Sequence, residues 1–215
     1  MPTALYEKIT AAFQRGLETE RLVLRPLAPV DSANAAHFFE ANGRAYRQYL
    51  QWHEGEPYTE DYMRETVLPY IIQLGRERES FTLFIFRKDA EGDNPIIGEI
   101  DINEPKVADA RQISFFIQPA ERRKGYAFEA YTAVLEACRQ HGLFGAVFAE
   151  IEPDNIASMR LVEKAGLAAR GVADATATGY EGQKLLKYEA ALEKITFSIR
   201  QPAWRACLPR RPDFA

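Results

Sequence analysis

The stretch Arg122-Arg123-Lys124-Gly125-Tyr126-Ala127 lies between an apolar run, Ile113-Ser114-Phe115-Phe116-Ile117, and a helical pattern. Amides at a helix N-terminus have no intrahelical partner and carry partial positive charge, so such a junction favours an anion. Gly125 has no Cβ, which lets the backbone come close to a phosphate, and the small Ala127 keeps the first turn open. Arg122, Arg123 and Lys124 add attraction for a pyrophosphate, with a 3′-phosphate in reach of the same cluster. A basic loop containing one glycine can also do no more than start a helix. The stretch is neither a Walker A loop, which needs Lys-Ser or Lys-Thr after its glycine, nor a three-glycine dinucleotide fingerprint.

Outward from this loop the periodicity changes in step with the punctuation. Residues 125–141 are expected to be helical, with Ala127, Ala130, Tyr131, Val134 and Cys138 on the inner stripe and Gly142 as the stop. Residues 112–118 read as a strand closed by Pro119. Upstream, 81–87 and 95–102 read as a hairpin around a Gly/Asp/Asn turn at 89–94. Downstream come a strand at 145–151, a helix at 155–165 and strands at 167–173 and 184–192. The N-terminal part offers an amphipathic helix (Leu5, Ile9, Ala12, Phe13) stopped by Gly16, then a strand at 20–27. A helix capped by Asp31 is expected to end at Asn42-Gly43, and another, capped by Thr59, at about Gly75. This order predicts one mixed α+β domain around a central sheet.

The 215 residues carry a formal charge of -4, which disfavours bulk electrostatic binding to nucleic acid. Cys138 and Cys207 make no disulfide framework, so the chain reads as a reduced, cytoplasmic protein. Residues 1–13 lack the apolar centre of a secretory signal, and no run of about 18 apolar residues predicts a membrane span. His37, His53 and His141 show no ligand spacing, so no metal site is expected.

With these elements in place, Arg122-x-x-Gly125-x-Ala127 resembles the phosphate-loop signature of the GNAT acyltransferase superfamily. Pro153-x-Asn155-x-x-Ser158 with Glu163-Lys164-x-Gly166-Leu167 is similar to its RimJ/RimL branch, the ribosomal-protein N-terminal acetyltransferases. Thr19-Glu20-Arg21-Leu22-x-Leu24-Arg25-Pro26-Leu27 resembles that branch's first strand. The resemblance spans about residues 19–192. It implies the GNAT fold: a central mixed, mostly antiparallel, twisted sheet with helices on both faces, over 19–195, with extensions at 1–18 and 196–215. It also implies acetyl-CoA as co-substrate and an amine acceptor, in a monomer or homodimer with no metal.

Residue by residue, the resemblance places pantetheine between the strand at 113–118 and the strand at 145–151. Its amides would pair with the backbone of Phe116, Ile117 and Gln118 in the manner of an added strand. Arg122, Arg123, Lys124, Gly125, Tyr126 and Ala127 would hold the pyrophosphate, and Asn155 would touch the pantetheine arm. Ser158 occupies the place of a serine that protonates the leaving thiolate. Asn155 also reads as a plain N-cap and Ser158 as a first-turn polar residue. Glu99 and Asp101 share a strand face, so either is a candidate base; both also read as solvated surface charges. Gly125→Val is expected to crowd a pyrophosphate and leave the fold intact.

The resemblance implies that the acceptor meets Tyr46, Tyr49, Trp52, His53 and Glu54, with Tyr180 and Glu181 opposite, aromatics and acids that suit a cationic amine; the same residues also read as ordinary helix packing and surface charge. At pH 7 an α-amine of pKa about 7.8 is about 14% neutral, against about 0.04% for a lysine near 10.4. An N-terminal α-amine therefore needs less help from a base. A small-molecule amine acceptor, or a non-catalytic acyl-CoA sensor, stays open.

Overall fold

The computed structural model describes residues 4–47, 58–78, 80–88, 94–103, 109–173, 184–196 and 205–206. The strands are β1 (Leu17–Glu18), β2 (Leu22–Arg25), β3 (Phe81–Arg87), β4 (Ile96–Ile102), β5 (Ala110–Ile117), β6 (Ala146–Ile151), β7 (Ala168–Val172), β8 (Leu186–Ala191) and β9 (Arg205–Ala206). They lie in the order β7-β8-β6-β5-β4-β3-β2-β1-β9. All neighbours are antiparallel except β5 and β6, which run parallel. The sheet is therefore mixed and mostly antiparallel, as the family resemblance implies. The pairs β1 and β9, two residues each, are too short to give a periodic signal.

Helices cover both faces because β3 is apolar on both. Leu83 and Ile85 point to one core with Ile9 and Phe13 of α1 (Ala4–Phe13), Tyr131, Val134 and Cys138 of α5 (Tyr126–Gln140), and Val162 of α6 (Ile156–Lys164). Phe84 and Phe86 point to the other core, with Phe38 and Phe39 of α2 (Ser32–Arg47) and with Met63, Val67 and Leu68. The strand alternation of period two thus carries two hydrophobic layers at once.

Three local expectations change. Asp31 ends a 3-10 turn, Pro29–Asp31, and does not cap α2. Its carboxylate accepts the Ala28 N–H at 2.8 Å and pairs with Arg25 at 2.6 Å. α2 runs through Asn42-Gly43 to Arg47. Asn42 loses its breaking effect because its Nδ2 donates to the Phe38 carbonyl at 2.8 Å, one turn back. The segment after Thr59 is helical, with Thr59 Oγ1 accepting the Tyr62 N–H at 3.1 Å, but it is not one α-helix. Between α3 (Glu60–Tyr62) and α4 (Leu68–Arg78) lies a π-turn, Met63–Val67. Pro69 lies two residues beyond it; its missing N–H and its ring against the Glu65 carbonyl, four residues back, explain the widening.

Candidate functional site

The basic loop connects β5 to α5 through a 3-10 turn, Pro119–Glu121. Its backbone turns left-handed twice, at Arg123 (φ 66°) and at Gly125 (φ 86°), and Gly125 caps α5. The first intrahelical bond runs from Glu129 N–H to the Gly125 carbonyl at 3.1 Å. The amides ahead of it form the open, electropositive end of the helix. A Cβ built on Gly125 would meet one atom within 4 Å, Arg21 Nη2 at 3.3 Å. The outer face of the loop is therefore an open cradle, suited to an anion. The same φ corrects the expectation for Gly125→Val: a β-branched residue is strained there, so that variant is not neutral for the fold.

The three cations of the loop are used differently. Lys124 Nζ pairs with Glu121 at 2.9 Å, and buried Glu121 also takes Arg87 at 2.6 Å. Arg122 turns back: its Nε donates to the Ile117 carbonyl at 2.9 Å, and its guanidinium lies 5.8 Å from the Phe116 ring centre. Arg123 is exposed and has no partner among the described residues. A fourth cation arrives that motif reading assigns to a strand and to no site. Arg21 Nη1 donates to the Lys124 carbonyl at 2.9 Å, and its guanidinium lies 4.6 Å from the Tyr126 ring centre. Arg21 and Glu129 are 108 residues apart, and no local pattern announces that they meet.

Beside the loop the sheet parts. β5 and β6 pair only at Ala110, Arg111 and Gln112 against Ala146, Val147 and Phe148. β5 continues on β4 to Ile117, and β6 continues on β8 to Ile151. Past Gln112 the two strands share no registered pair, so edge groups there are available to an extended ligand. Because β5 and β6 are parallel, α5 and α6 begin at the same end of this opening. Asn155 caps α6, its Oδ1 accepting the Ser158 N–H at 3.2 Å; Ser158 is half-buried. Gln118 is partly engaged already, with its N–H on the Ile97 carbonyl at 2.9 Å and its Oε1 accepting from Asn42 Nδ2 at 3.4 Å. Phe116 packs towards α2, and Ile117 packs towards α5.

Glu99 and Asp101 do share a face, the one covered by α2, opposite Ile100 and Ile102. Cross-strand register sets Glu99 between Phe84 and Phe116, and Asp101 between Thr82 and Ser114. The Thr82 hydroxyl donates to Asp101 Oδ1 at 2.5 Å, and Asn103 Nδ2 reaches Ser114 Oγ at 3.0 Å. Burial pushes the Asp101 carboxyl up to about 6, against the lowering effect of the Thr82 bond. Ser158 belongs to the side of α5 and α6, so the structure does not group it with Asp101. The parting of β5 and β6 lies between them. Tyr46 is on the last turn of α2, while Tyr49, Trp52, His53, Glu54, Tyr180 and Glu181 lie outside the described residues. Among the described residues no cluster of three His, Cys, Asp or Glu is placed to hold a metal, and no helix is long and apolar enough to cross a membrane.

In sequence and in fold the chain is similar to known acetyltransferases. A probable N-acetyltransferase, YjcK of Bacillus subtilis (strain 168), is 25% identical over 161 residues, covering 73% of this chain and 86% of that protein. The ribosomal-protein-S5-alanine acetyltransferase of Vibrio fischeri superposes with a TM-score of 0.64 at 14% identity, covering 83% and 97% of the two chains. RimL, a ribosomal L7/L12 α-N-protein acetyltransferase solved with coenzyme A, gives 0.59 at 15% identity, covering 80% and 95%. The family model for the acetyltransferase (GNAT) domain matches residues 21–168, well over half of the chain. The protein therefore belongs to the GNAT acetyltransferases, enzymes that use acetyl-CoA.

Proposed function

We infer that the protein moves the acetyl group of acetyl-CoA to a primary amine, with a protein N-terminal α-amine as the preferred acceptor. The observation that carries this is the parting of β5 and β6 directly beside the Gly125 cradle. In this reading residues 122–127 hold the pyrophosphate through the open amides of α5, with Arg123 as the free cation. Ile117 turns its N–H to the parted edge where the pantetheine arm lies, between Phe116 and Gln118, whose backbone groups bond to β4, and Asn155 stands at the start of α6 beside it.

Asp101 is the better of the two base candidates. Its raised carboxyl pKa, about 6, lies nearer that of an α-amine than an ordinary carboxylate does, and Thr82 fixes its orientation. Asp101 takes a proton from the ammonium, and the neutral nitrogen attacks the thioester carbonyl. Unpaired strand amides stabilise the oxyanion. The C–S bond then breaks, Ser158 gives its hydroxyl proton to the thiolate from the opposite side of the sheet, and the proton shed by the new amide nitrogen returns through water to restore the serine hydroxyl. Base and acid on opposite faces suit this order, because the acceptor enters from one side and the thiol leaves on the other. Glu99, one step along the same face, helps to draw in the cation. Structural likeness to ribosomal-protein acetyltransferases supports the α-amine choice, as does the modest basicity that Asp101 offers.

The test is turnover of acetyl-CoA over a panel of N-terminal peptides, polyamines, amino-acid amines and aminoglycosides. Peptide α-amines should give the highest kcat/KM. A preference for a small amine would replace the acceptor assignment. Tight CoA binding with no turnover on any amine would mark the protein as a sensor.

A further inference from the structure

Two left-handed residues, Arg123 and Gly125, flank Lys124, and the Lys124 carbonyl is held from outside the loop by Arg21 Nη1 at 2.9 Å. The same guanidinium delivers Nε at 2.7 Å and Nη2 at 2.6 Å to Glu129 Oε2, one turn into α5. The Arg21 backbone N–H reaches Glu129 Oε1 at 2.9 Å, and the Thr19 hydroxyl donates to the same oxygen at 2.6 Å. The Glu129 side chain is only 16% exposed, so water competes poorly for it. The chain entering β2 is thus fastened both to the loop and to the helix that the loop begins.

We propose that Arg21, fixed by Glu129 and Thr19, is a positioning residue for the donor, holding the Lys124 peptide so that the first amides of α5 keep their aim at the pyrophosphate. This rests on the reading of residues 122–127 as the pyrophosphate loop. A left-handed arginine at 123 carries a steric cost that a free loop would relax, and the bond to its neighbour's carbonyl opposes that relaxation. Lysine cannot substitute, because one ammonium cannot present the rigid fork that spans a carboxylate and a carbonyl at once.

The experiment compares wild type, Arg21→Lys and Thr19→Val in titrations with CoA, 3′-dephospho-CoA and pantetheine, with circular dichroism to confirm folding. Arg21→Lys should weaken CoA and 3′-dephospho-CoA by the same factor, about tenfold or about 1.4 kcal/mol, and leave pantetheine unchanged. Thr19→Val, which removes one of the bonds on Glu129, should move both nucleotides the same way by a smaller factor. Loss confined to CoA would make Arg21 a direct ligand of the 3′-phosphate and overturn the positioning role. Equal weakening of pantetheine would show that Arg21 acts through the fold at large, and unchanged affinities would also overturn the proposal. Gly125→Ala separates the two readings. If it leaves CoA affinity unchanged, the loop assignment fails; if it weakens CoA while Arg21→Lys does not, only the role of Arg21 fails.

Discussion

In the proposed mechanism Asp101 is where a single side chain governs both rate and stability. Burial penalises its charged form and pushes the carboxyl up to about 6 from the ordinary 3.8. As a base it works only when ionised, so kcat/KM should rise as pH passes upward through about 6, and Asp101→Asn should abolish that limb with a loss of about a hundredfold or more. Between these two pKa values the native state binds more protons than the unfolded chain, so stability falls as pH rises through the window. Asp101→Asn should therefore raise Tm well above pH 6, and the gain should fade as pH falls towards 3.8. A gain that persists unchanged in acid would contradict the buried carboxylate. Gly125 makes a different point at the same scale. With φ at 86°, Gly125→Ala should cost about 1–2 kcal/mol in urea unfolding, and calorimetric titration should also show weaker CoA binding. The motif around Gly125 was legible because glycine, a cation run and a helix start are local. Arg21 was not, since its role depends on Glu129 and Lys124, which the fold alone brings to it.

At the scale of elements, boundaries were readable where a cap did the stopping. Thr59 and Asn155 cap helices as their residue types and spacing predict. Asn155→Ala should cost about 1 kcal/mol of stability, and 15N relaxation should show fraying of the first turn of α6 around Ser158. If Asn155 also serves the pantetheine arm, the loss of CoA affinity will exceed that of a variant that only frays the helix, such as Ile156→Gly. The overrun of α2 and the π-turn were not readable, each for a tertiary reason. Asn42 finds a carbonyl one turn back and Gln118 across the packing. Met63 and Val67 are fully buried against the Phe84 and Phe86 layer, and this holds the helix together across its wide turn.

At the scale of the molecule, two hydrophobic layers enclose one sheet, and the residues ahead of the family's own motifs belong to one of them. Phe13 of α1 is fully buried, with its ring centroid 6.0 Å from that of Phe81. Phe13→Ala should cost about 3–5 kcal/mol in denaturant unfolding; a loss under about 1 kcal/mol would show α1 to be an accessory. The sheet itself is less continuous than its nine strands suggest, because its two parts are registered to each other by three residue pairs of β5 and β6. A seam that short is a point of mechanical compliance, the place where slow opening motions concentrate. The amides of 113, 115, 117 and 150, which face the seam and not β4 or β8, should then take up deuterium early in the free enzyme and resist it once CoA is present. The donor would thus act as a missing strand, and the enzyme would be stiffest at the moment it is ready to react.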